Sequence, residues 1–199
     1  MNLITEYLVN TPQTSAPHLY PINVAAYHRM GEIGIFNEGE LTELIDAMII
    51  IMAPIGSEHA DWVDRLTRFF IKNVPEDITV RSQNPVHLDE HNEPQPDLAL
   101  LRPRKQPYRQ AHPRAEDVLL IIEVADTSQN YDRNVKVPLY ARYGIPEVWL
   151  LDIRRNCLEI YQAPNEQGYR LMLKPSRDER ITPMKLTELE INLSIWWSW

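Results

Sequence analysis

The order of apolar and polar positions divides the chain into helical and extended stretches that alternate. From Asn23, NVAAYHRMGEIG sets Val24, Tyr27 and Met30 at helical spacing and closes on Gly31 and Gly34, which predicts a short amphipathic helix. The period then shortens. Residues 43–54, ELIDAMIIIMAP, carry β-favouring side chains on both sides of Asp46-Ala47 and predict a hairpin with a two-residue turn. A second helix is expected after Ser57, taken as its N-cap, because Val63, Leu66, Phe69 and Phe70 share one helical face before Asn73 and Pro75 end the run.

Three extended stretches come next, residues 78–88, 97–101 and 117–125, separated by proline-rich loops. The last contains Val118 to Ile122 without a break, the pattern of a strand covered on both faces and therefore central in a sheet. Beyond Asp126, Val135, Leu139, Tyr140 and Tyr143 return to helical spacing with Gly144 as the stop, and Pro138 fits only near a first turn. Residues 147–153 and 157–162 predict a hairpin around Arg154-Arg155-Asn156. Strands interleaved with helices predict an α/β fold in which helices flank a central sheet. Residues 1–22, with Pro12, Pro17 and Pro21, read as an arm, leaving 23–199 as a single domain.

Composition narrows the function classes. A chain of 199 residues, 44% of them hydrophobic, buries roughly 70% of its unfolded surface and supports its own core. No aliphatic run approaches the ~20 residues that cross a bilayer. The first basic residue is Arg29, so no secretory signal is expected, and the expected location is the cytoplasm with no membrane partner. One cysteine, Cys157, excludes an internal disulfide and a cysteine-based zinc site. A net charge of -8 argues against a broad nucleic-acid face, yet residues 102–114, RPRKQPYRQAHPR, carry five positive charges and no acid. Arg102, Arg104, Lys105 and Arg109 are therefore candidate DNA phosphate contacts, with a solvated loop as the plain alternative.

The chemistry centres on two acids. A carboxylate at Glu123, after VLLII, costs several kcal/mol to desolvate unless a cation or donor meets it. Asp97 follows Pro96 and opens its own aliphatic stretch, so the two acids converge if their strands are neighbours. Facing carboxylates repel unless a hard divalent cation lies between them, and oxygen ligands suit Mg²⁺, with Mn²⁺ as its substitute.

Several blocks carry a family resemblance: YHRMGEIGIF (27–36), ELIDAMII (43–50), PIGSEHADWVDRL (54–66), QNPVHLDEHNEPQPDLALLRPR (83–104) and IIEVADTSQNYDRNVKVPLYARYGIPEVWLLD (121–152). Together they resemble the Uma-type restriction-endonuclease-like group of the PD-(D/E)XK nuclease superfamily. The resemblance covers most of the chain and implies a restriction-endonuclease-like core, preceded by the N-terminal helix and β-hairpin. It also implies metal-dependent hydrolysis of a DNA phosphodiester. The superfamily lysine lies two residues after the glutamate, on the same strand face. That position is Ala125 here, and the resemblance makes Lys136, from the following helix, the substitute. On this reading Asp97, Glu123 and the backbone carbonyl of Val124 hold the metal, and Lys136 orients water or stabilises the transition state. A second departure is Ala47, where the family usually has glycine in the hairpin turn.

Two residues carry open alternatives. Glu43 is either a third carboxylate of the site or a surface strand acid. His59 either contacts a phosphate or the metal shell, or is an ordinary polar residue at a helix start.

Rival motifs are weaker. His87-Leu88-Asp89-Glu90-His91 matches the H-x-x-E-H spacing of inverted zinc peptidases, but Pro85, Asn92, Pro94 and Pro96 leave no room for the helix this chemistry needs. Glycine-rich nucleotide fingerprints and a serine elbow are both missing, so no small-molecule cofactor is expected. A different class, a non-catalytic DNA-binding or assembly module on the same fold, must discount the intact set Asp97, Glu123 and Lys136. Trp196, Trp197 and Trp199 either cap the core or form a dimer contact, and with the resemblance they motivate a homodimer.

Overall fold

A computed structural model describes residues 19–104 and 108–198. Asn23 starts the first helix, α1 (Val24–Glu32), by accepting the Ala26 N–H on its side chain at 2.8 Å. The hairpin β1 (Thr42–Ile45) and β2 (Met48–Ile51) follows, with Ile45 opposite Met48. Its turn residues Asp46 and Ala47 have φ of 47° and 61°, the left-handed pair that a two-residue primed turn requires. Helix α2 (Ser57–Asn73) begins one residue earlier than expected: Gly56 is the N-cap and Ser57 is already helical, with no side-chain cap bond. Residues 1–18 of the expected arm lie outside the described residues.

A six-stranded sheet runs in the order β3-β4-β5-β6-β7-β8. Its strands are β3 (Thr79–Ser82), β4 (Leu98–Leu101), β5 (Val118–Ala125), β6 (Glu147–Asp152), β7 (Cys157–Asn165) and β8 (Gly168–Leu173). Only β5 and β6 pair in parallel, and these are the two middle strands, as the aliphatic run in β5 requires. The expected strand over 78–88 is shorter because Gln83 turns to φ 51° and Asn84-Pro85 follows. A small ladder of β9 (Arg180–Ile181) and β10 (Ile191–Asn192) and a last helix, α4 (Leu193–Trp196), complete the chain.

Alternation along β5 sends Leu120, Ile122 and Val124 to one face, where α2 and Trp196 pack, and Ile121 and Ala125 to the other, beneath Val137 and Tyr140. The second face is covered by α3, which is composite. It starts as Gln129–Tyr131, widens into a π-helical turn Asp132–Lys136 and continues as Val137–Arg142. Pro138 lacks the N–H that a regular helix interior demands, and the widened turn sits directly before it, closed by Val137 N–H on the Asp132 carbonyl. Pro138 is thus accommodated at a fresh helical start, well inside the helical stretch.

Trp196 is fully buried and stacks edge to face or tilted on Phe69, Phe70 and Trp149. Trp197 meets Trp62 edge on. Trp196 thus caps the core and Trp197 is half-buried beside it; Trp199 lies outside the described residues.

Candidate active site

The antiparallel register of β4 on β5 pairs Leu98 with Ile122, so the residue before β4 meets the residue after Ile122. These are Asp97 and Glu123. Val124 N–H donates to Asp97 Oδ2 at 2.8 Å, and Asp97 N–H donates to Glu123 Oε2 at 3.3 Å. Both acids therefore sit at one rung of the sheet, on neighbouring strands.

Helix α3 lowers a cation onto this rung. Lys136 Nζ lies 2.8 Å from Glu123 Oε1 and 3.6 Å from Glu43 Oε2, and donates to the Gln95 carbonyl at 3.3 Å. All three charged residues are buried, with Lys136 at 1% exposure, Glu123 at 2% and Glu43 at 0%. Glu43 is therefore no surface strand acid. Tyr140 OH donates to Glu123 Oε1 at 2.6 Å, Tyr131 OH to Glu43 Oε1 at 3.0 Å, and Gln95 N–H to Glu43 Oε2 at 3.0 Å. Tyr131, Lys136 and Tyr140 all belong to α3, and the π turn between Tyr131 and Lys136 lets both reach Glu43.

Charge is unbalanced at this rung. Burial pushes Glu123 up to about 8, Lys136 pulls it down, and the neighbouring Asp97 charge adds to the rise. Burial alone would lower Lys136, but Glu123 and Glu43 outweigh it and hold the ammonium well above the ordinary lysine value. Burial also lifts Asp132 to about 6 despite Lys136. For His59, burial is outweighed by the hydrogen bond and charge of Asp97, 3.1 Å from its Nε2, and the imidazole is raised.

A cleft of about 270 Å³ opens over these groups, lined by His59, Gln83, Asp97, Glu123, Val124, Asp126, Asp132 and Lys136, with Leu41, Met52 and Ile55 among its apolar walls. Asp97 Oδ2 is held by Val124 N–H and His59, whereas among the described residues Oδ1 meets only Gln83 at 3.4 Å. Glu123 Oε1 is held by Lys136 and Tyr140, whereas among the described residues Oε2 meets only the Asp97 N–H at 3.3 Å. Each carboxylate keeps one weakly engaged oxygen. Two such oxygens and an excess of acid over base are the donor set and charge deficit that a hard divalent cation fits.

The basic segment is elsewhere. Arg102 follows β4 at the end opposite Asp97, roughly 16 Å away at the rise of an extended strand. Arg104 lies 5.3 Å over the Tyr108 ring and 3.8 Å from Asp117, and with Arg109 and Arg81 it lines a separate groove. Lys105 lies outside the described residues. The sequence pattern did not single out Gln95, Tyr131, Asp132 or Tyr140. Tyr140 was readable as the position four after Lys136, on the same helical side. Tyr131 was not, because its placement depends on the π turn.

No helix forms over His87 to His91. His87 Nδ1 turns to Glu93 Oε2 at 3.3 Å and His91 Nδ1 to the Ile22 carbonyl at 3.0 Å, so the two rings of the peptidase-like motif diverge.

A mixed six-stranded sheet flanked by helices, with a carboxylate pair at one rung and a lysine above it, defines a restriction-endonuclease-like α/β protein. The model of the Uma2 family, described as "Putative restriction endonuclease", matches residues 24–195, and the chain belongs to that family. Its fold is also that of a solved structure, a "putative nuclease belonging to DUF820 from Anabaena variabilis ATCC 29413". The TM-score is 0.68 at 15% identity, over 90% of this chain and 99% of that one. No curated protein matches.

Proposed function

We propose that this protein is a metal-dependent endonuclease that hydrolyses DNA phosphodiester bonds in the cytoplasm. The observation that carries the reading is the Asp97–Glu123 rung with Lys136 buried against it at 2.8 Å. A buried ion triad of this kind is costly to form, and a core of the same volume is more stable when apolar, so a site that retains it serves chemistry.

Asp97 and Glu123 would hold Mg²⁺, or Mn²⁺ in its place, with the Val124 carbonyl completing the protein ligands and Glu43 acting through Lys136. The bound ion supplies charge neutralisation at the scissile phosphate and a more acidic water. Lys136, which lines the cleft, fixes the orientation of Glu123 and presents positive charge where the phosphorane accumulates negative charge. Tyr140 and Tyr131 anchor the two glutamates that position Lys136. His59 holds Asp97 Oδ2 and presents a raised imidazole at the cleft wall, suited to a phosphate contact. Arg102, Arg104 and Arg109 contact the DNA backbone beyond the cleft; Arg102 lies about 16 Å from Asp97, which at ~3.4 Å per base pair is about five base pairs along a duplex.

Calorimetric titration with Mg²⁺ and Mn²⁺, run beside cleavage of supercoiled plasmid and short single-stranded DNA, tests the reading. Metal binding that is lost in Asp97→Asn and Glu123→Gln, together with cleavage of either substrate, supports it. Metal binding unchanged in both variants, with no cleavage, points to a non-catalytic module on the nuclease fold.

A further inference from the structure

Glu93 is 2% exposed and lies outside the cleft, and its ion-pair partners among the described residues are imidazoles: His28 Nε2 at 2.5 Å on Oε1 and His87 Nδ1 at 3.3 Å on Oε2. His112 joins them, so that ligand atoms of His28, Glu93 and His112 all fall within 4.8 Å of one another. The three come from three parts of the chain: His28 from α1, Glu93 from the segment bridged to β1 at Leu44, and His112 from the loop that ends the basic segment.

We propose that His28, Glu93 and His112 form a second metal site, selective for Zn²⁺ or a similar borderline transition ion. Two imidazole nitrogens and one carboxylate oxygen are the donor set such ions take, whereas Mg²⁺ prefers oxygen alone. Zn²⁺ holds neighbouring ligand atoms about 3.3 Å apart in tetrahedral geometry, so modest side-chain rotations bring this trio onto one ion. His87 on the second oxygen of Glu93 supplies the outer-shell hydrogen bond that orients a ligating carboxylate. The cluster opens into a groove also lined by Arg81, Tyr108 and Arg109, which leaves a coordination position for water. Those arginines disfavour a dication, so binding is weaker than at an all-anionic site.

The site has a structural consequence. Glu93 lies two residues before Gln95, whose carbonyl accepts from Lys136 and whose N–H donates to Glu43. An ion there ties α1 and the end of the basic segment to the strip of chain beneath the active site.

The test uses the full chain with Zn²⁺ and with Co²⁺ as a spectroscopic probe. Expected are one Zn²⁺ retained per chain after dialysis, visible Co²⁺ absorption of four- or five-coordinate intensity, and a Tm raised by Zn²⁺. His112→Ala, in a loop, and His28→Ala, on a half-exposed helix position, should each weaken Zn²⁺ at least tenfold while keeping the metal-free far-UV spectrum. Asp97→Asn combined with His59→Ala disables the carboxylate rung and its histidine and should leave the Co²⁺ bands intact, which separates this site from the proposed nuclease centre. Zn²⁺ stoichiometry and Co²⁺ bands unchanged in both histidine variants, or lost only in the Asp97→Asn, His59→Ala protein, overturn the proposal.

Discussion

Lys136 Nζ sits 2.8 Å from Glu123 Oε1 although the lysine belongs to a helix and the glutamate to a strand of the sheet beneath it. Side chains two apart on a strand share a face, so Ala125 and Glu123 look toward the same helix. Ala125 leaves the space above it small and uncharged, and α3 supplies the cation.

This arrangement makes Lys136 doubly sensitive. Lys136→Ala leaves Glu123 and Glu43 buried without their cation, at a cost of about 3–5 kcal/mol. Chemical denaturation of metal-free protein should show that loss, and metal-dependent DNA cleavage should fall by about two orders of magnitude. Glu123→Gln combined with Lys136→Met removes both charges and should recover part of the stability without recovering cleavage. Equal stability of Lys136→Ala and wild type would mean that the triad is not the buried network described.

The pH dependence follows from Glu123. Its folded-state value of about 8 lies above the ordinary 4.5, so between these pH values the folded protein holds a proton that the unfolded chain has released. Stability of metal-free protein from this group is therefore full below pH 4.5 and declines as pH rises toward 8. Saturating Mg²⁺ requires the carboxylate form and should flatten the decline. Calorimetry in two buffers of different ionisation enthalpy should detect close to one proton released per ion bound at pH 7. A metal-free Tm that climbs from pH 5 to 8 would contradict the assignment.

Trp196 tests the closure of the core. Its ring is fully buried among Phe69, Phe70 and Trp149, and Trp196→Ala should cost about 3–5 kcal/mol in urea denaturation. Sedimentation should show the same oligomeric state as wild type at micromolar concentration. A change of oligomeric state with stability retained would assign this cluster to a dimer contact instead.

Ala47 tests the turn. At φ 61° its Cβ is crowded in a conformation glycine adopts freely, so Ala47→Gly should stabilise the protein by about 0.5–1 kcal/mol. The turn lies beyond Glu43 on the hairpin, and cleavage should be unaffected.

Much of the fold was legible because its signals are local. The aliphatic run in β5, the helical spacing of Val63, Leu66 and Phe70, and the paired apolar stretches around Asp46-Ala47 each name an element without tertiary knowledge. Asp97 and Glu123 stood out because an acid beside an aliphatic strand demands compensation, and the register of β4 on β5 then brings them together. Other features are set by packing at long range. The burial of Glu43 depends on Gln95 and Tyr131, which are 52 and 88 positions away in sequence. The π turn arises where Pro138 meets the need to place Lys136 over the sheet. Ser57 resembles an N-cap, yet Gly56 takes that position and leaves the serine inside the helix. The distance of the basic segment from the acids was not legible either: β4 sets Arg102 its own length away from Asp97. β8 was missed because Leu171, Met172 and Leu173 are all half-exposed on an edge strand and carry no alternation.

The most direct measurement is the conversion of supercoiled plasmid to nicked and linear forms by purified wild type and Asp97→Asn, each with Mg²⁺ and with EDTA. The account predicts cutting by wild type in Mg²⁺ alone and a loss of at least a hundredfold in Asp97→Asn. Cutting that survives EDTA, or that Asp97→Asn retains in full, would contradict a nuclease centre built on Asp97 and Glu123.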